Sequence, residues 1–392
     1  MKNKLEYIIA ILLILECNTV YISFVPSAGI FSILTATLLL WLCHYNIKGK
    51  NNIDTQKFNI FFLIYFIGAL ILFLETIPDA RINYISKFII LLPSLILYIA
   101  SRPIQENRFK LLYKISNIIF IESIISIIFY LAGTVFSIIP PTGSISLDWG
   151  GIKLIPSWYN LYFEPQIFRN SGIFTEAPMH NYCLSLAFLT EIFLRKSRSK
   201  IKILILAVAI LTTLSTTGQF VLIGTIIIQI ITHVKKIKLS FFQRIIIIPL
   251  LIGVIISLYH LANYLIELKS TTSSYEIRNE YIQIAIDSWI SNPLLGCGYG
   301  SNGMGSSNSI FVLLAEGGIF MFMIYFFSFI FIPYKYWIKK TNRNYAYFHL
   351  IYFGLFCITI ILYSNITLLL LSIPLSSLLK KQPRYKNRDN NV

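Results

Sequence analysis

The stretch SSYEIRNEYIQIAIDSWISNPLLGCGYGSNGMGSSNSIFVLLAEGGI, residues 273–319, decides how the chain reads. Almost everything around it is apolar, and it is the longest segment that cannot be a membrane span. It opens with Ser273-Ser274-Tyr275-Glu276, an S-x-x-E capping box able to satisfy a helix's first free N–H groups. The helix is predicted to run to about Ser291, because Asn292 precedes Pro293 and is biased away from helical dihedrals. Arg278, Ile282, Ala285 and Trp289 then share one helical face. Gly296, Gly298, Gly300, Gly303 and Gly305 follow in close succession, suited to flexibility and close backbone approach. Ser307 or Asn308 can cap a new apolar helix. That helix carries Glu316 roughly 12 Å from its start, at 1.5 Å per residue. A polar helix, a glycine loop and a re-entering span read as a site at the mouth of a membrane bundle.

Working outward, the 392 residues are 56% hydrophobic and only 13% charged, with mean hydropathy +0.70. Soluble domains are about a quarter charged, so the soluble-enzyme classes are excluded. Apolar runs of bilayer-spanning length recur from end to end. Twelve spans are predicted, at 6–24, 28–44, 58–75, 83–100, 115–139, 177–194, 203–216, 218–233, 245–262, 309–333, 346–362 and 366–379. The expected fold is thus all-α: a single polytopic transmembrane domain over residues 1–392. The tail from Ile358 to Leu379 can also be one kinked span plus a re-entrant piece, broken at Ser364-Asn365.

A net charge of +16 would suggest nucleic acid in a soluble chain, but here the basic residues fall in alternate loops. Only Arg81, Lys87, Lys153, Arg169, Lys269 and Arg278 of the 33 Lys and Arg lie on the other side. The positive-inside rule then puts both termini in the cytoplasm, with no nucleic-acid partner. Two long loops are left outside, 140–176 and 263–308, the second containing the short helix; long ordered loops commonly carry function. The N-terminal Met1-Lys2-Asn3-Lys4 and apolar run resemble a signal peptide, but Glu16-Cys17-Asn18 offers no small-residue cleavage site, so an uncleaved first span is expected. The five cysteines have neither disulfide nor metal spacing, and no metal or cofactor is expected.

The first outer loop ends Phe168-Arg169-Asn170-Ser171-Gly172-Ile173-Phe174-Thr175-Glu176-Ala177-Pro178-Met179-His180-Asn181. Thr175 is the expected cap of the sixth span, with Glu176 and Pro178 in its first turn. The bland reading is a solvated Arg169 and a Glu176 that complements the helix dipole. The sharper one uses the scarcity of outer cations: the arginine fork suits phosphate and pyrophosphate. Glu316, an ionisable group inside a span, is either functional or paired. Glu122 reads as structural and nearer the cytoplasmic end, and His180 as a helix-end residue rather than a base. The Gly296-x-Gly298-x-Gly300 run follows no strand and is not a nucleotide fingerprint.

The stretch Arg169-x-x-Gly172-Ile173-Phe174-x-Glu176-x-Pro178 resembles the R-x-x-G-x-F-x-E-P-like signature of Wzy-type O-antigen polymerases. The stretch from Arg278 through Trp289, Pro293, Gly296 and Gly298 to Asn308-Ser309 and Glu316-x-Gly318 resembles the motif those polymerases share with O-antigen ligases. The resemblance implies a GT-C-like bundle in a bacterial inner membrane that polymerises lipid-linked glycan at its periplasmic face. Donor and acceptor would be undecaprenyl-pyrophosphate-linked repeat units, with membrane lipid and a chain-length regulator protein as further partners. It implies Glu176, Arg169 and Arg278 as catalytic residues, and Arg169, Arg278, Asn308, Glu316 and Trp289 as substrate contacts. Two departures matter. Ligases carry a catalytic His before the Asn matching Asn308, where this chain has Ser307. The segment matching the family's S-R-G reads Ser215-Thr216-Thr217-Gly218, without the Arg. The rival expectations are a ligase and a lipid-linked oligosaccharide flippase; a flippase should line its spans with cations, and these spans hold few.

Overall fold

A backbone in hydrocarbon must satisfy its own polar groups, so long apolar runs become helices. The computed structural model has that character. It describes residues 2–25, 27, 29–47, 53–102, 108–142, 147–149, 152–154, 156–159, 161–163, 168–234, 253, 273–301 and 308–379, with backbone alone at 147–149, 152–154, 156–157, 233–234 and 273–278. The chain is mostly helical: α1 (Lys2–Leu15), α2 (Gly29–Ile47), α3 (Thr55–Glu75), α4 (Pro78–Ser101), α5 (Lys110–Val135), α6 (177–194), α7 (Lys200–Thr212), α8 (Thr216–Val234), α9 (Ser273–Ser291), α10 (Ser309–Ile338), α11 (Arg343–Ile358) and α12 (Asn365–Leu379). Among the described residues five helices are long and apolar enough to cross a membrane: α2, α3, α4, α5 and α10. The predicted span 245–262 lies outside the described residues.

The bundle is built around α6 and α12, whose residues are almost all buried. Helix α12 packs on α4, α6 lies between α5, α7 and α8, and α1 bridges α2 and α5. Helix α3 is peripheral, with only 17% of its apolar window buried. Ser364 caps α12, its Oγ accepting from the Thr367 N–H at 3.1 Å. The tail therefore breaks over 359–364, next to the expected Ser364-Asn365.

Three departures from expectation have local causes. The first span is cut short, because α1 stops at Leu15 and Asn18 takes a positive φ of 52°. A 3-10 turn, Val20–Phe24, follows. Hydropathy runs on across the break, but Glu16 leaves the helix to accept the Asn365 N–H at 2.8 Å. Second, the fold is not purely helical: the outer loop holds two small antiparallel pairs, β1 (Leu147–Trp149) with β2 (Ile152–Leu154), and β3 (Pro156–Trp158) with β4 (Tyr162–Phe163). Trp158 and Tyr162 pack on Tyr130 of α5, and the Trp158 indole donates to the Ile139 carbonyl at 2.8 Å.

The third departure is a break inside α10. Gly318 sits at φ 58°, ψ −162°, a region open essentially to glycine. The broken backbone is repaired by the glycine loop after α9. The N–H groups of Cys297 and Gly298 donate to the carbonyls of Ala315 and Glu316 (2.7 and 3.1 Å), and those of Ile319 and Phe320 donate to Pro293 and Leu294 (2.9 and 3.1 Å). Gly296 serves this close approach, since a Cβ on it would lie 2.5 Å from the Glu316 carbonyl carbon; Gly298 instead passes against the end of α3, where a Cβ would lie 1.8 Å from the Glu75 carbonyl oxygen.

Candidate functional site

The loop 168–176 and the start of α6 form one half of the site. Helix α6 begins at Ala177 with Glu176, not Thr175, at the N-cap, and the Glu176 side chain makes no capping bond. Thr175 is turned to α1 instead: its N–H and hydroxyl both donate to the Asn18 carbonyl, at 2.9 and 3.1 Å. The half-buried Arg169 donates from Nε to the Thr213 carbonyl at 3.1 Å. Burial lowers its pKa, and the Glu176 charge opposes that shift, so the two charges are within electrostatic reach. A guanidinium stays protonated under such a pull. Arg169 is therefore not a freely solvated loop residue: it is held against the end of α7.

Beneath the loop lies a pair that sequence reasoning set aside as structural and separate. His180 is fully buried, and its Nε2 lies 2.9 Å from Glu122 Oε2 while its Nδ1 lies 3.1 Å from the Asn170 carbonyl. A carbonyl only accepts, so Nδ1 carries a proton, and the Nε2–carboxylate contact shares another. Phe174 stacks on the imidazole at 5.3 Å. Glu122 sits mid-way along α5 rather than near its cytoplasmic end, and its Oε1 has no hydrogen-bond partner among the described residues. Gly172, at φ 54°, makes room for it, since a Cβ there would be 2.2 Å from that oxygen. The signal in the sequence was the loop glycine itself, which a φ > 0 turn requires.

The other half of the site is a buried charge network. Lys87 pairs with Glu16 at 2.5 Å and donates to the Tyr363 carbonyl at 2.8 Å. The Tyr363 hydroxyl donates to Glu316 Oε2 at 2.6 Å. The charge pattern puts Lys87 on the outer side, within the predicted span 83–100; it lies in a π-helical stretch of α4, Ile85–Leu91, and is buried. Its burial was not legible, because its partners come from α1 and the 359–364 loop. A cavity of about 150 Å³ opens here, lined by Glu16, Asn18, Lys87, Met179, Tyr182 and Ser364 among others. Asn18 and Met179 join it to the Thr175–Glu176 turn. On its other flank, Phe88 packs on Tyr299 and Tyr363 at 5.9 and 5.7 Å. Phe88 also lines an apolar groove of about 690 Å³ between α3, α4 and α10.

The remaining expected site residues are less drawn together. Asn308 is the cap of α10, its Oδ1 accepting from the N–H groups of Ile310 and Phe311, both at 3.1 Å. Trp289 donates its indole N–H to the Pro293 carbonyl at 3.2 Å, closing the end of α9. Both therefore have structural duties. The side chain of Arg278 and all of Ser307 lie outside the described residues, as does the Ser273 capping box. No group of three or more His, Cys, Asp or Glu side chains with metal-binding geometry occurs among the described residues. Comparison of the chain with family models, curated proteins and solved structures gives no match.

Proposed function

We propose that this protein is a Wzy-type polymerase acting on undecaprenyl-pyrophosphate-linked repeat units at the outer face of a bacterial inner membrane. The observation that carries the reading is the placement of Arg169, held on the Thr213 carbonyl, in one loop with Glu176 at the N-cap of α6, in a stretch that bears the family resemblance. Two cavities support it further: the turn adjoins the Lys87–Glu16 cavity, and beyond Phe88, which packs on Tyr363, lies an apolar groove able to take a long lipid chain. In the reaction an acceptor hydroxyl oxygen attacks the donor's anomeric carbon. The bond from that carbon to the pyrophosphate oxygen breaks, and undecaprenyl pyrophosphate leaves. Glu176 accepts the hydroxyl proton. Arg169, with Arg278, meets the charge growing on the pyrophosphate. Positioning supplies the rest, since the donor is already activated.

A transport reading draws on one specific observation, the buried Lys87–Glu16 pair inside the bundle, where a flippase would keep its charges. A deletion strain separates these outcomes. Loss of a polymerase leaves surface lipid bearing one repeat unit, because export and ligation persist. Loss of a flippase leaves no repeat unit outside. Loss of a ligase leaves polymer on undecaprenyl pyrophosphate and none on the surface acceptor. Either of the last two results would overturn the proposal.

A further inference from the structure

The groove against α3 has a second lobe of different chemistry. A cavity of about 760 Å³ lies between the first turns of α3, the end of α10 and the end of α12. One end carries Lys57 from α3, Lys335 from α10 and Lys339 just past its end, with the hydroxyl residues Thr341 and Ser377. The other end is aliphatic and aromatic, and shares Phe61, Ile64, Phe327 and Leu378 with the 690 Å³ groove. Lys335 and Lys339 are four residues apart, and both line the cavity together with Lys57. Asp54 lies 3.5 Å from Lys57, but the pair is half-exposed and worth little in water. No acidic residue lines the cavity among the described residues. Arg108 adds a further cation nearby, hydrogen-bonded to the Tyr336 hydroxyl at 3.1 Å.

We infer that this lobe is a binding site for an anionic diacyl phospholipid, its phosphate held by Lys57, Lys335 and Lys339 and its acyl chains laid along Phe61, Ile64 and Phe327. Charge complementarity decides the occupant. Three lysines around an apolar slot are unfavourable to one another until an anion enters, and basic pockets between membrane helices suit phosphate headgroups. The segment 245–262 of the chain is apolar enough to fill the slot. Its flank, however, carries Lys235, Lys236, Lys238 and Arg244, which would add to the repulsion. The peripheral position of α3, with little of its apolar surface covered by protein, leaves a lipid as its natural neighbour. This site is independent of the polymerase reading.

The test uses the delipidated full-length protein in neutral detergent, titrated with phosphatidylglycerol or with phosphatidylcholine of the same chains, following thermal stability and lipid retention by native mass spectrometry. Phosphatidylglycerol should bind roughly a hundredfold tighter than phosphatidylcholine, at about one kcal/mol per lysine. The triple variant Lys57→Ala, Lys335→Ala, Lys339→Ala should lose that preference, while the triple Lys→Arg variant keeps it and controls for folding. Equal retention of both lipids would overturn the site, as would a preference untouched by the alanine variant. So would binding of neither lipid, the result expected if segment 245–262 fills the slot. An equal stabilisation by inorganic phosphate alone would show that the acyl groove has no part in recognition, and would also overturn it.

Discussion

Arg169 illustrates how one side chain acquires a role from its surroundings. Its backbone turn is tied to α7 through Asn170, whose side-chain amide donates to Thr212 Oγ1 at 2.9 Å, and its own Nε donates to the Thr213 carbonyl at 3.1 Å. Arg169→Lys keeps the charge but loses the fork, and Glu176→Gln removes both the base and the opposing charge. Each should reduce polymer formation by about a hundredfold or more, at unchanged protein level, read from surface-glycan ladders; a normal ladder from both variants would exclude the pair from the chemistry. Lys87 makes a stability prediction. Removing one partner of a buried ion pair costs about 3–5 kcal/mol, so Lys87→Met should destabilise the protein by that order in detergent denaturation. Glu16→Gln combined with Lys87→Met should recover much of the loss. No recovery would mean that the lysine acts through some partner other than Glu16.

At the scale of elements, the helices lay close to the surface of the sequence. A helix occupies 177–194, the bounds expected for the sixth span, although it is not among the five helices long and apolar enough to cross a membrane, and α9, α11 and α12 begin or end within a few positions of expectation. Apolar runs bounded by Asn, Ser and Pro caps are local signals, and local signals are readable. The break at Gly318 was not, because hydropathy averages over side chains and is blind to a single dihedral pair. The pairing of Glu122 with His180 and the burial of Lys87 were missed for a related reason: each joins residues far apart in the chain. The glycine clip gives its own test. Gly296→Ala combines a φ of 71° with a clash against the Glu316 backbone, and should cost about 2–4 kcal/mol. Gly224→Ala, in α8 with nothing within 4 Å of the new methyl group, should be neutral or slightly stabilising. The two variants compared in one thermal unfolding series check the assignment; equal effects would sink it.

For the molecule as a whole, the alternation of basic loops predicts its orientation. Reporter fusions after Lys202 and within 271–274 should report opposite sides of the membrane. The same side for both would invert the topology and move the candidate site to the cytoplasm. The Glu6 contacts with Arg102 and Lys110, at 2.6 and 3.0 Å, tie together α1, the end of α4 and the start of α5, ends that the same rule would place in the cytoplasm.

The break in α10 also bears on how the chain is made. By hydropathy α10 is a strong membrane span, with a mean of 2.2 over its apolar window. Its backbone says otherwise, since the carbonyls of Ala315 and Glu316 and the N–H groups of Ile319 and Phe320 look outside the helix for partners. Released alone into lipid, each such group would cost several kcal/mol. Residues 293–298 supply those partners, and they leave the ribosome first. The nascent α10 therefore finds its splint already synthesised, and the expected order is that residues 293–298 dock against the break as α10 inserts.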